Sequence, residues 1–128
     1  MASKFTELAI DCADPHALAG FWCAVLGYEV QDEDDEIVMI GSPQVPEGKR
    51  RPGPVPPTLT FAPVPEGKVV KNRLHLDLNP TDRDQAAEVE RLLGLGARRA
   101  DVGQGEQSWV VLTDPEGNEF CVLAGRCP

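Results

Sequence analysis

A chain of 128 residues with a formal net charge of −9, 41% hydrophobic and 26% charged residues, can bury a core without disulfide staples and has the balance of an ordinary folded domain, which excludes general disorder. Its negative charge would repel a phosphate backbone or an anionic lipid surface, so neither nucleic acid nor membrane is an expected partner. No charged leader with an apolar core opens the sequence, no apolar run approaches the ~18 residues of a spanning helix, and the four cysteines, Cys12, Cys23, Cys121 and Cys127, form no Cys-x-x-Cys pair; a cytoplasmic protein with reduced thiols is expected.

Period-two alternation predicts a first strand over Phe5 to Cys12, with Leu8 and Ile10 on an apolar face and Glu7, Ala9 and Asp11 on a polar one. Asp14-Pro15 then supplies an N-cap and a proline at the first helical position. Leu18, Phe21, Trp22, Val25 and Leu26 follow at helical spacing, and Gly27 stops the helix. Tyr28 to Val30 reads as a short strand, the acidic run Asp32 to Glu36 as a solvated hairpin turn, and Ile37 to Ile40 as another strand. Six prolines and two glycines between Ser42 and Pro57 make that stretch a long loop. Its basic cluster, Lys49-Arg50-Arg51, has no interleaved aromatic residue and reads as solvated surface. Leu59 and Phe61, alternating with Thr58, Thr60 and Ala62, give the next strand.

Pro63 to Val70 is a connector. In Lys71-Asn72-Arg73-Leu74-His75-Leu76-Asp77-Leu78-Asn79 the leucines again alternate with polar residues, predicting a strand over Arg73 to Asn79 whose polar face of Arg, His, Asp and Asn has the donors and acceptors that line ligand cavities. The competing reading is a solvated strand face. Thr81-Asp82 reads as a cap for a helix over Arg83 to Leu93, and Gly94 and Gly96 as its stop. Strands are expected over Arg98 to Val102, Trp109 to Thr113 and Glu119 to Ala124, the last two joined by the turn Asp114-Pro115-Glu116-Gly117-Asn118. The two halves, offset by about 68 residues, repeat strand, cap, helix, glycine stop and short strands. Each half is therefore read as βαβββ.

That repeat, with Asp14-Pro15 opening the first helix, Phe21-Trp22 through Leu26-Gly27-Tyr28 closing it, His75 on the first strand of the second half and Asp114-Pro115-Glu116-Gly117-Asn118 before the last strand, resembles the vicinal oxygen chelate superfamily. Its members include glyoxalase I, bleomycin-resistance proteins, extradiol dioxygenases and fosfomycin-resistance enzymes. The stretch Val70 to Leu78 resembles its glyoxalase-like subgroup. The resemblance implies an α+β fold in which two tandem βαβββ modules, about residues 4–63 and 72–125 of a single domain 1–128, form a curved mixed sheet around a cleft. It also implies a homodimer. In metal-dependent relatives each half gives one ligand from its first strand and one from its last. The matching positions here are Glu7 and His75, then Thr60 (or Thr58 in another register) and Cys121, where the family places Glu. Two carboxylates are thereby lost, so the expectation is no tightly held metal; Zn, Mn or Fe held by Glu7, His75 and Cys121 is the alternative.

No Ser-His-Asp order, phosphate loop or His-Glu-x-x-His element is present. Glu7 and His75 are the candidate catalytic pair, able to act as acid and base, while Glu7, His75 and Asp77 equally suit a structural hydrogen-bond network. Candidate ligand-contacting residues are Asp11, Thr60, Arg73, Asp77, Trp109 and Cys121. Trp109 could stack on a planar ligand or cap the core, and Cys121 reads first as a small core residue. The leading reading is a small-molecule-binding protein that sequesters or acts on a metabolite or drug. Glu7, Asp11, Asp77 and Glu119 outnumber Arg73 and His75, which favours a cationic ligand. The alternatives are a lyase or isomerase of glyoxalase type, metal-dependent or using Glu7 and His75 as acid and base, and a homodimer whose role is partner binding.

Overall fold

The alternation around Leu8 and Ile10 becomes strand β1 (Glu7–Cys12) in a computed structural model that describes residues 2–45 and 53–128. The chain divides into two units, Met1–Gly67 and Lys68–Pro128, and each carries one βαβββ set.

In the first unit β1 is followed by α1 (Pro15–Leu26), β2 (Glu29–Glu33), β3 (Val38–Gly41) and β4 (Thr58–Pro63), with sheet order β1-β4-β3-β2. The helix starts where the sequence signals it: the Asp14 carboxylate accepts from the Ala17 N–H, Pro15 occupies the first turn, and Gly27 closes the helix in the left-handed region at φ 67°. Leu18, Phe21, Trp22 and Val25 are buried on α1, which packs on β3 and β4, where Val38, Ile40, Leu59 and Phe61 are buried. Phe21 and Trp22 meet edge to face, 5.3 Å between ring centres. β1 runs parallel to β4, with Glu7 opposite Thr58 and Ala9 opposite Thr60.

The acidic run is only partly a turn. Asp32 and Glu33 extend β2, and the reversal begins at Asp34, whose carboxylate accepts from the N–H groups of Glu36 and Ile37, both at 2.8 Å. Carboxylates tolerate the strand because β2 is an edge strand with its side chains largely in water. The Lys49-Arg50-Arg51 cluster lies outside the described residues.

In the second unit β5 (Leu76–Leu78), α2 (Gln85–Leu95), β6 (Arg98–Arg99), β7 (Val110–Thr113) and β8 (Glu119–Val122) follow, with sheet order β5-β8-β7-β6. Leu76, Phe120 and Leu112 form one cross-strand row, and Leu78, Val122 and Val110 the next. Because facing alternates along a strand, the intervening row of Asp77, Cys121 and Val111 looks the other way. The fold is thus α+β, with two helices and two four-stranded mixed sheets among the described residues. No helix among the described residues is long and apolar enough to cross a membrane.

Several expected boundaries move. The strand expected over Arg73 to Asn79 shrinks to three residues, and Leu74, on the apolar side of the expected alternation, is 81% exposed. The cause is the partner: the β5–β8 ladder begins at Leu76 opposite Phe120, and just upstream of β8 the Asp114–Asn118 turn carries the chain away. Residues before Leu76 therefore have no ladder to join. Helix α2 starts two residues later than expected, because the cap is Asp84, whose carboxylate accepts from the Ala87 N–H at 2.8 Å, while Asp82 pairs with Arg83. β6 stops at Arg99 rather than Val102, since the backbone turns where Gly103 N–H meets the Asp101 carboxylate.

Candidate functional site

The polar face of the second unit's sheet opens into a pocket of about 350 Å³. Its floor is the row Asp77, Cys121 and Val111, with Glu119 and Leu123 flanking it on the same strand face. Lys71 and His75 enter from the segment before β5, and Val102, Gln104 and Trp109 from the region between β6 and β7. Trp109, Val102, Val111 and Leu123 make the apolar part of the lining, and Lys71, His75, Asp77, Gln104 and Glu119 the polar part.

His75 Nδ1 lies 2.9 Å from Asp77 Oδ1 and 3.9 Å from Cys121 Sγ. The three ligating atoms that this cluster offers all fall within 4.8 Å of one another, so one ion could be reached by all three. With Nδ1 engaged by Asp77, Nε2 is the ring nitrogen left for a ligand. Burial pushes the Cys121 thiol up from its ordinary pKa, and the charge of Asp77 and a hydrogen bond to it add to the rise, against a smaller opposing effect of Lys71. Cys121 is only 7% exposed and is a protonated thiol at neutral pH.

The shape of the Asp114–Asn118 turn has a local cause. Asp114, buried at 2% exposure, accepts from the N–H groups of Glu116 and Asn118 and from the Asn118 side-chain amide, while Gly117 takes φ 87°. Asn118 Oδ1 in turn accepts from the Asn72 side chain at 3.0 Å. Glu119 next to it accepts from Lys68 Nζ at 2.7 Å and from the Asn72 N–H at 3.1 Å. The turn therefore pins the segment that carries Lys71 toward the pocket. Burial works to raise the Glu119 carboxyl, but the bonds from Lys68 and Asn72 together hold it below its ordinary range. On the other side, Gln85 at the start of α2 donates to the carbonyls of Ser108 and Val122, at 2.8 and 2.9 Å, and so fixes the backbone next to Trp109.

Of the residues singled out in the sequence, His75, Asp77, Trp109, Glu119 and Cys121 come together around this pocket. Arg73 is exposed and is not among the lining residues. Glu7, Asp11 and Thr60 belong to the first unit, where Glu7 and Asp11 are exposed on β1. Glu7 shares a sheet face with Thr58 and Thr60. The Thr60 hydroxyl is buried without a hydrogen-bond partner among the described residues, whereas the fully buried Thr58 donates to the Thr6 carbonyl at 3.3 Å. Sequence reasoning missed Lys71, Val102 and Gln104. Lys71 has the parity of Arg73, His75 and Asp77, but it lies two residues before the start of the expected strand. Val102 and Gln104 sit in a loop whose path no periodicity reports.

A model of the glyoxalase-like domain family matches residues 7–123. No curated protein is similar enough in sequence to match. Among solved structures, a variant of the genomically encoded fosfomycin resistance protein FosX from Listeria monocytogenes, complexed with Mn(II) and 1S,2S-dihydroxypropylphosphonic acid, is similar with a TM-score of 0.68 and 13% identity, covering 98% of this chain and 92% of that one. FosX from Mesorhizobium loti gives a TM-score of 0.68 at 12% identity, covering 98% and 94%. A glyoxalase/bleomycin resistance protein/dioxygenase family enzyme from Burkholderia phytofirmans gives 0.62 at 16%, covering 94% and 97%. At such identities the likeness is one of fold.

Proposed function

The chain belongs to the glyoxalase-like domain family, within the vicinal oxygen chelate superfamily, and from that premise we propose that it is a small-molecule-binding protein whose ligand occupies the pocket of the second unit without a tightly held metal. The observation that carries the reading is a cavity whose lining combines apolar side chains with a small set of polar groups, the usual make-up of small-molecule sites. The Mn(II) of the Listeria FosX complex does not transfer well to this donor set. Hard divalent ions of that kind want several oxygen donors, and the cluster offers one carboxylate, one imidazole and one thiol. The imidazole nitrogen nearest the other two is already bonded to that carboxylate. The thiol would have to ionise, against the burial and the neighbouring Asp77 that keep it protonated.

Metal analysis and thermal shift test this directly. Purified protein should hold well under one equivalent of Zn, Mn or Fe, chelator should leave its Tm in place, and a bound ligand should raise it. Stoichiometric metal retained through purification, with an activity that chelator abolishes, would overturn the reading and favour a metal-dependent lyase or isomerase.

The His75–Asp77 contact favours a second reading, in which the same pocket does acid-base chemistry. A carboxylate on Nδ1 orients the ring and supports proton transfer at Nε2. Solvent deuterium incorporated into a bound ligand, and lost in His75→Gln, is the signature of that chemistry; binding without exchange leaves the protein a binder.

A further inference from the structure

We infer that this pocket selects a flat apolar molecule with one anionic end, a carboxylate or similar oxyanion placed against Lys71; the inference rests on reading the pocket as a ligand site. The overall residue balance pointed to the opposite sign, but the pocket's own charges are counted differently once their partners are known. Glu119 is engaged by Lys68 at 2.7 Å and by the Asn72 N–H at 3.1 Å. Asp77 shares a hydrogen bond with His75 Nδ1 at 2.9 Å, a contact that is an ion pair only when the ring is protonated. Lys71, in contrast, donates only to the backbone carbonyl of its neighbour Asn72, at 3.0 Å, and forms no ion pair among the described residues. Among the described residues Lys71 is therefore the one charged side chain of the pocket lining that meets no other side chain, and it is positive. A cation entering the site would meet carboxylates already occupied and an ammonium that repels it, whereas an oxyanion would meet an ammonium with donors to spare.

The apolar lining residues set the other half of the specificity. Trp109 is 38% exposed and lines the pocket beside Val102, Val111 and Leu123, so an indole surface is offered for stacking. A cavity of about 150 Å³ holds a benzene molecule; at about 350 Å³ there is room for two fused rings and a headgroup.

Three probes with one ring system separate the alternatives: naphthoate, naphthylmethanol and naphthylmethylamine, titrated against the full chain by equilibrium dialysis with tryptophan fluorescence as a second readout. Naphthoate should bind tightest. Lys71→Met should weaken naphthoate by about fivefold, the scale of a partly exposed ion pair, and leave naphthylmethanol unchanged. Lys71→Arg should keep the preference, and Lys71→Glu should shift it to the amine. Trp109→Leu should weaken all three. Lys71 is exposed, so these variants should keep the wild-type Tm. Tightest binding of the amine, or naphthoate binding indifferent to Lys71, overturns this inference while Trp109-dependent binding keeps the pocket as a ligand site. Failure of all three probes to bind overturns both.

Discussion

Glu119 is the residue where structure and charge are most tightly coupled in the second unit. Its side chain is 10% exposed, and Lys68, itself 22% exposed, closes the ion pair at 2.7 Å. Removing the ammonium would leave a largely buried carboxylate with the Asn72 N–H as its remaining donor from that segment. Lys68→Met should therefore cost about 1–2 kcal/mol, measured by urea unfolding at neutral pH. The loss should shrink below the ordinary carboxylate range, where Glu119 takes up a proton. Equal destabilisation at acid and neutral pH would show that Lys68 acts through packing of its stem rather than through its charge. Nothing in the sequence singled out Lys68, because it is 51 residues from its partner. By contrast, Asp114 and Gly117 were legible: their roles depend on bonds within five consecutive residues.

At the scale of elements, helix α2 shows how far local signals reach. Thr81, Asp82 and Asp84 are all residues that can cap a helix, and the sequence offers no means to choose among them. The choice falls to packing: Val89 and Leu92 must be the buried positions, and with those fixed, Gln85 is the first helical residue. From there its side chain bridges the Ser108 and Val122 carbonyls, so the helix start braces the strand ends that hold Trp109. Gln85→Leu should leave those two acceptors without that donor and cost about 1–2 kcal/mol. It should also shift the emission of Trp109 to the red, read against the Trp109→Phe protein, in which only the buried Trp22 emits. An unchanged spectrum would mean the backbone there is fixed without Gln85.

For the whole molecule, the groups with displaced pKa values bound a pH window of stability. Burial, then the charge of Glu29, raises the Cys23 thiol above its ordinary 9.0, and burial raises the Tyr28 hydroxyl, which donates to the Pro57 carbonyl, above 10.0. The folded chain keeps these protons to higher pH than the unfolded chain does. Above about pH 9 the unfolded chain thus binds fewer protons, and stability falls as pH rises further, with nothing lost below. Glu119 works in the opposite sense. Its carboxyl is held below its ordinary 4.5, so its contribution is complete above that value and is lost as pH falls through the folded-state pKa. Denaturant midpoints should form a plateau between these limits. Cys23→Ala and Tyr28→Phe should each flatten the alkaline limb without moving the acid one.

The sequence by itself determined the twofold βαβββ order and all of helix α1, because each rests on short-range chemistry: alternation, a cap three residues from its acceptor site, a glycine at a left-handed turn. It also named His75, Asp77, Trp109 and Cys121 as chemically capable. Only the tertiary structure decided where β5 begins, since a strand is defined by the ladder of its partner and β8 supplies none before Phe120. That limit set Leu74 in water and put Lys71 rather than Arg73 beside the pocket. The sign of the pocket's unpaired charge was likewise beyond the sequence: it depends on which carboxylates already hold a partner, and those pairs join residues up to 51 positions apart.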